Sequence, residues 1–317
     1  MIQLGPGVHR ITADQYHADP AAAPSLSSSI ARILLDQSPL HAWTASPRLN
    51  PMWEPTDSKT FDIGRAAHRA ILGAGGDYEA IPAELLASNG AASTKAAKEW
   101  VEEARARGVT PLKAEEVDRV QTMAGKAERT LSGMGITLHH GDSEVVAIAQ
   151  VDGVWCRMMA DNVPEDPRQP IYDFKTCESA APEACLKSVL NYGYDVQAAH
   201  YLDTWKAATG ESRAFRFIFQ EKSQPHELCV VEVGQDSLDL ARRKIARARE
   251  MWGVCLSRNE WPGYPLGVHK IDLPAWVFER WYERESAERD HKRQTGADIL
   301  EAAMRFQHPQ GFKGAAE

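Results

Sequence analysis

From Ser143 onward the hydrophobic pattern changes its period, and that change restricts the available folds more than any other feature of the chain. EVVAIAQV (144–151) is an apolar β-run, V-D-G is a hairpin-like turn, and VWCRMMADNV (154–163) is a second run. A turn at PEDPRQ leads into a third run, PIYDFK. Helices are expected over 182–190 and 195–208, after which FRFIFQ and ELCVVEV read as strands separated by EKSQPH. Residues 143–233 therefore condense to β-β-β-α-β-β, an α/β (α+β) order with helices on either side.

The flanks carry the helical period. In SLSSSIARILLDQSPLHAW the serines offer an N-cap, and Ile30, Ile33, Leu34 and Leu35 form an apolar face. FDIGRAAHRAIL (61–72) repeats the pattern through Ile63, Ala67 and Ala70 or Ile71. Two polar, charge-rich helices are expected at about 94–107 and 114–132, and two more at about 236–257 and 275–304. The first 23 residues read as a short strand-like stretch and a turn-rich segment, and the terminal GFKGAAE as a frayed tail. The expected organisation is one domain over 1–317: a mainly helical part (1–142), an αβ core (143–233) and C-terminal helices (234–317).

The net charge of −8 over 317 residues excludes a histone-like or polybasic binder, whose affinity for phosphate rests on excess Lys and Arg. The basic run ARRKIARARE (241–250) reads as a solvated helix face, with a contact to a DNA backbone as the alternative. No signal-peptide run and no stretch of 18 apolar residues is present, so a cytoplasmic location without membrane contact is expected. Cys156, Cys177, Cys185, Cys229 and Cys255 are irregularly spaced with no CxxC pair, and read as small buried hydrophobes rather than disulfides or a zinc site.

Two acids end β-runs: Asp161 the second and Asp173 the third. If those strands pair, the carboxylates converge on one edge of the sheet, and Lys175 at i+2 shares the face of Asp173. Carboxylates that hold a divalent cation beside a lysine are a set suited to phosphodiester hydrolysis, which needs an activated water and charge neutralisation. Acid-x-Lys occurs three times, at Asp57-Ser58-Lys59, Asp173-Phe174-Lys175 and Asp290-His291-Lys292; only the middle copy ends a β-run preceded by a strand that itself ends in an acid. By themselves Asp173 and Lys175 would read as a surface ion pair. Upstream, Gly64-Arg-Ala-Ala-His68 lies on a helix, with Gly64 one turn before His68, where it permits close approach of another backbone. Downstream, Gln197-Ala-Ala-His-Tyr201 puts an amide and a phenol on one helical face.

GxxxH on a helix, Asp at a strand end, Asp-x-Lys on the next strand and QxxxY on the following helix resemble the motif series of the RecB-like branch of PD-(D/E)XK nucleases. SLSSSIARILLDQSPLHAW and NYGYDVQAAHYLD resemble the RecE-type exodeoxyribonuclease VIII family of phages and prophages, over most of residues 25–220. The resemblance implies a restriction-endonuclease-like core, a central mixed sheet flanked by helices within a single nuclease domain. It implies His68, Asp161, Asp173 and the Phe174 carbonyl as metal ligands, Lys175 as the catalytic lysine, and Gln197 and Tyr201 as residues that orient the site and contact DNA. Glu144 is either a supporting residue behind the ligands or a solvent-facing strand acid, and His200 points elsewhere on its helix.

Two departures stand out. Relatives often carry a basic residue and a proline beside the first Asp, where this chain reads Arg157-Met-Met-Ala-Asp161. No cysteine precedes His68, so the iron-sulfur cluster of some RecB-like relatives is not expected. The implied activity is a Mg²⁺- or Mn²⁺-dependent exonuclease on double-stranded DNA ends, running 5′ to 3′ in a bacterial host, with a RecT-like single-strand annealing partner and a homo-oligomer as further implications. The alternatives are a structure-specific or single-strand nuclease of the RecB-like group and a non-catalytic DNA-binding module on the same fold.

Overall fold

The computed structural model describes residues 3–54, 62–138 and 143–304. Ahead of Ser143 lie β1 (Gly7–His9), α1 (Ala13–His17), α2 (Ser28–Asp36), α3 (Pro39–Thr44), α4 (Asp62–Leu72), β2 (Tyr78–Ala80), α5 (Lys95–Ala106), β3 (Thr110–Leu112) and α6 (Ala114–Gly133). The expected β-runs follow as β4 (Ser143–Val151), β5 (Val154–Asn162) and β6 (Ile171–Cys177). After them come α7 (Pro182–Tyr192), α8 (Tyr194–Thr209), β7 (Phe215–Glu221), β8 (Leu228–Glu232), α9 (Gln235–Arg258), α10 (Ala275–Thr295) and α11 (Ile299–Met304).

Six strands form one sheet in the order β1-β4-β5-β6-β7-β8. β6 and β7 run parallel and the other neighbours antiparallel, so the sheet is mixed, as expected. The β4–β5 hairpin closes on Asp152 (φ 53°) and Gly153 (φ 76°), the left-handed pair that suits a two-residue turn between twisted strands. The parallel β6–β7 step needs a long crossover, and α7 and α8 supply it.

Strand alternation divides the apolar side chains between two layers. Ile171, Met158, Ala160, Phe215, Phe217 and Phe219 face α7 and α8, while Tyr172, Phe174 and Ile218 face α4 and α6. Each buried phenylalanine of β7 contributes roughly 1.5–3 kcal/mol relative to exposure. A one-residue slip would turn all three away from this core, so the β6–β7 register is strongly determined.

Several elements differ from expectation. The first 23 residues contain α1, whose Thr12 and Gln15 form a reciprocal capping box. β2 and β3 are three-residue strands paired in parallel, too short to show alternation. The helix expected over 275–304 is two, because Gly296 (φ 73°) ends α10 in the left-handed conformation. Asp57-Ser58-Lys59 and the GFKGAAE tail lie outside the described residues.

By its internal contacts the chain divides into Met1–Tyr264, which holds the sheet, and Pro265–Glu317. In the second unit Leu266, Val268, Trp276, Phe278 and Trp281 are all exposed. In the first, several basic residues of α9 are engaged with carboxylates: Arg249 with Asp152 (2.9 Å) and Asp203 (3.1 Å), Lys244 with Asp195 (2.6 Å), and Arg247 with Glu250 (2.7 Å). Cys156, Cys185 and Cys255 are buried free thiols, and Cys177 and Cys229 are partly buried. No helix among the described residues is long and apolar enough to cross a membrane.

Candidate active site

β5 and β6 share a single residue pair, Asn162↔Tyr172, and then part. Farther along, the edge of β5 is taken by Leu26, whose N–H donates to the Trp155 carbonyl (2.7 Å) and whose carbonyl accepts from the Arg157 N–H (2.9 Å). A buried polar cluster fixes this segment. Arg157 pairs with Asp19 (3.3 Å) and donates to the Ser25 carbonyl (2.6 Å), while Ser25 N–H donates to Asp19 (2.9 Å). With both ions buried, loss of either partner would cost about 3–5 kcal/mol. The outcome is that α2 starts beside the fork between β5 and β6, with Ser27 as its N-cap.

The two strand-end acids meet at that fork. Asp161 Oδ2 accepts from the Phe174 N–H (2.6 Å), so a side chain replaces the strand-to-strand hydrogen bond where the ladder opens. The N–H and carbonyl of one strand residue face the same edge, so the Phe174 carbonyl is also turned toward β5. Asp161 Oδ1 lies 3.0 Å from His68 Nε2 on α4. Asp173 is engaged from the other layer: Gln197 Nε2 on α8 donates to its Oδ2 (2.7 Å), and Oδ1 is paired with Lys175. Lys175 Nζ also lies 5.2 Å from the Tyr194 ring centroid, a cation–π contact.

Gly64 explains how α4 comes near enough. A Cβ at that position would lie 3.2 Å from Thr176 Oγ1, next to Lys175 on β6. The close approach is thus to a side chain of β6 rather than to backbone. Tyr201 is buried where α8 meets α1 and α2, beside Tyr16 and Ser28. His200 is turned away from the site, with Nε2 3.0 Å from the Arg157 carbonyl.

Electrostatics separates the two carboxylates. Burial alone would raise both, but His68, Lys175 and the Phe174 N–H hold Asp161 below the usual carboxylate range. Asp173 is lifted to about 6 by burial and by the neighbouring Asp161 charge. Burial opposes charge on Lys175, and the two carboxylates overcome it, keeping the ammonium protonated. His68 is likewise pulled down by burial and driven back up by Asp161, to about 9.

Glu144 belongs to this cluster. It sits at φ 51°, its Oε1 approaches Gly75, and its field reaches His68 and Asp161, with burial raising its own pKa. Only its place at the start of a strand hinted at this, since a left-handed residue there cannot be read from alternation. Tyr194, beneath Lys175, and the Asp19–Arg157–Ser25 cluster had no sequence signal.

Among the described residues, no group of three or more His, Cys, Asp or Glu is arranged to hold a metal ion. The carboxylates are instead held by His68, Lys175 and Gln197. The donor set nevertheless suits a hard divalent cation: three carboxylates, one imidazole, and a buried Asp173 Oδ1 engaged by the Lys175 ammonium.

A family model described as a PDDEXK-like domain of unknown function (DUF3799) matches residues 33–271. The chain belongs to this family. His68, Glu144, Asp161, Asp173, Lys175 and Gln197 all lie inside the matched span, as do strands β4 to β8 of the sheet. A solved structure from Eubacterium rectale, named as a candidate exonuclease, is similar over 86% of this chain and 98% of its own, at 16% identity and TM-score 0.58. That likeness shows the shared PDDEXK-like fold. A phage-related exonuclease from Haemophilus somnus 129PT aligns over 62% of this chain and 96% of its own, with 13% identity and TM-score 0.29. An alkaline exonuclease from Laribacter hongkongensis aligns over 64% and 97%, with 13% identity and TM-score 0.23. No curated protein matches this sequence.

Proposed function

We propose that this protein is a divalent-metal-dependent exonuclease acting on the ends of linear double-stranded DNA, in the 5′ to 3′ direction, during phage- or prophage-type recombination. The observation that carries the reading is the pairing of Asp161 and Asp173 at a strand fork with the Lys175 ammonium on the same cleft wall. A structural ion pair at a strand end has no need of a second buried carboxylate beside the first, whereas a divalent-cation site does.

In this reading His68, Asp161, Asp173 and the Phe174 carbonyl hold the cation, with Glu144 behind them. When bound, the cation neutralises charge on the phosphate and makes water more acidic. Lys175 keeps a proton on Nζ and directs it at the oxygen that gains charge as the phosphate becomes five-coordinate. Gln197 holds Asp173 in one rotamer, which fixes where that carboxylate faces. Single strands left by the reaction would serve a RecT-like annealing partner, and a homo-oligomer is part of the same reading.

The test is incubation of the purified chain with 5′-labelled and 3′-labelled linear duplex and with closed circular DNA, with Mg²⁺, with Mn²⁺ and with EDTA. Loss of 5′ label from linear DNA only, and only with metal, is expected. Cleavage of closed circles, or cleavage in EDTA, would overturn the exonuclease or the metal assignment.

A further inference from the structure

The cleft that holds the acids has a neighbour that shares Lys175 with it. Both are lined by Ser28, Ser29, Lys175, Gln197 and Tyr201, but their far walls differ. The first continues to Asp161, Asp173 and Trp53. The second, of about 330 Å³, continues to Arg32, Tyr192, Gly193 and Tyr194, and no carboxylate lines it among the described residues. An anion entering from the acid side needs a cation to offset the carboxylates. From the other side it meets Lys175 and Arg32 directly.

Arg32 is held in place there. Its Nη1 donates to the Tyr192 carbonyl (3.1 Å), and its stem lies across Gly193, where a Cβ would come within 3.0 Å of Arg32 Cδ. Among the described residues no carboxylate is paired with Arg32. A guanidinium has five N–H donors in a rigid fork, and the one bond to Tyr192 leaves donors for a phosphate. Beside it, Tyr192 is 56% exposed, with its ring centroid 5.6 Å from that of Tyr194, and it precedes the left-handed Gly193 that ends α7. Tyr194 is committed elsewhere, stacked on Phe217 and lying under Lys175.

We propose that Arg32 and Tyr192 form a nucleotide subsite next to the scissile position: the guanidinium takes the flanking phosphate and the Tyr192 ring stacks on that nucleotide's base. This rests on the nuclease reading and adds to it a second contact point on the strand, independent of the metal. Stacking on an exposed ring is tolerant of sequence, because every base has a π-face, so the subsite would position the strand without selecting a base. Arg32 and Tyr192 are positioning residues, and their loss should be felt in substrate capture more than in the chemical step.

The experiment compares wild type, Arg32→Gln, Tyr192→Ala and Tyr192→Phe in steady-state cleavage of linear duplex with Mg²⁺. It also measures binding of a fluorescent 12-nucleotide single strand in EDTA across a salt series. Expected are a rise in KM of about tenfold for Arg32→Gln and Tyr192→Ala, with kcat changing far less, and recovery of most of that loss in Tyr192→Phe. The salt slope of Arg32→Gln should fall by about 0.7, the share of one phosphate on a single strand. Melting temperatures separate these effects from unfolding, since Arg32 also braces the turn and the Tyr192 ring lies against Tyr194. If wild type cleaves DNA while both variants keep its KM and salt slope, the subsite is wrong and the nuclease reading stands. A loss confined to kcat with an unchanged slope also overturns it. If wild type cleaves no DNA, the nuclease reading fails, and an unchanged salt slope in Arg32→Gln then removes the subsite with it.

Discussion

Gln197 Nε2 donates to Asp173 Oδ2 at 2.7 Å, joining the second turn of α8 to the strand that carries Lys175. The bond spans 24 residues and sets the orientation of an acid that is otherwise buried beside a like charge. Replacing Gln197 with Ala should therefore lower turnover by at least about tenfold, near 1.4 kcal/mol of transition-state stabilisation, with a small change in melting temperature. Single-turnover kinetics beside thermal denaturation will check this.

Tyr201 should behave differently from its motif partner. It is buried beside Tyr16 and Ser28 where α8 meets α1 and α2, so Tyr201→Phe is expected to cost about 1 kcal/mol or less of stability and less activity than Gln197→Ala. Urea unfolding of the two variants side by side decides between a role in the site and a role in packing.

Asp161→Ala and Asp173→Ala should each remove cleavage, by about a thousandfold or more, while leaving the circular dichroism spectrum of the sheet intact, because each carboxylate serves metal and substrate alignment together. Asp161→Ala also frees the Phe174 N–H and the His68 imidazole. Its melting temperature should consequently fall further than that of Asp173→Ala, whose removal relieves a buried repulsion. Hydrolysis near the wild-type rate in either variant would refute the assignment.

Lys175 holds a cation that two carboxylates keep protonated, so its removal should reduce turnover far more than DNA binding. Lys175→Arg should rescue little, since a planar guanidinium does not fit the space of a compact ammonium over Tyr194. Equal losses in affinity and single-turnover rate would instead make Lys175 a ground-state phosphate contact.

His200 provides the pH signature of the fold. Burial lowers its pKa to about 4, against an ordinary value of 6.5, so between those values the unfolded chain binds the extra proton. The stability it supports is present above about pH 6.5 and is lost as pH falls toward 4, on the order of 3 kcal/mol in total. Asp173 and His68, whose pKa values the fold raises, act in the opposite sense over this range, so the test is a difference: the urea midpoint of the wild type should fall relative to that of His200→Gln between pH 7 and pH 5.

Much of the architecture could be read from alternation and helical period, because burial of one face is a local demand repeated along each element. The β-run that ends in Asp161, the Asp-x-Lys that closes the third run and the helix of Gln197 all appear in the structure where the pattern put them. Shorter elements could not be read so: β2 and β3 have three residues each, and the break at Gly296 is one residue whose φ no periodicity reveals.

At the site, residue types and strand ends marked Asp161, Asp173 and Lys175, and a motif series added His68, Gln197 and Tyr201. Which carboxylate each one meets was decided only by tertiary structure. His68 goes to Asp161 and Gln197 to Asp173 because β5 and β6 part after Asn162↔Tyr172, leaving the two acids to be engaged from opposite layers. Glu144, Tyr194 and Arg32 join through a left-handed strand residue, a helix start and a glycine turn. Local sequence specifies hydrogen bonds that close within a few residues; a fork in a sheet is set by the packing of both its faces at once, and no single stretch of chain carries that information.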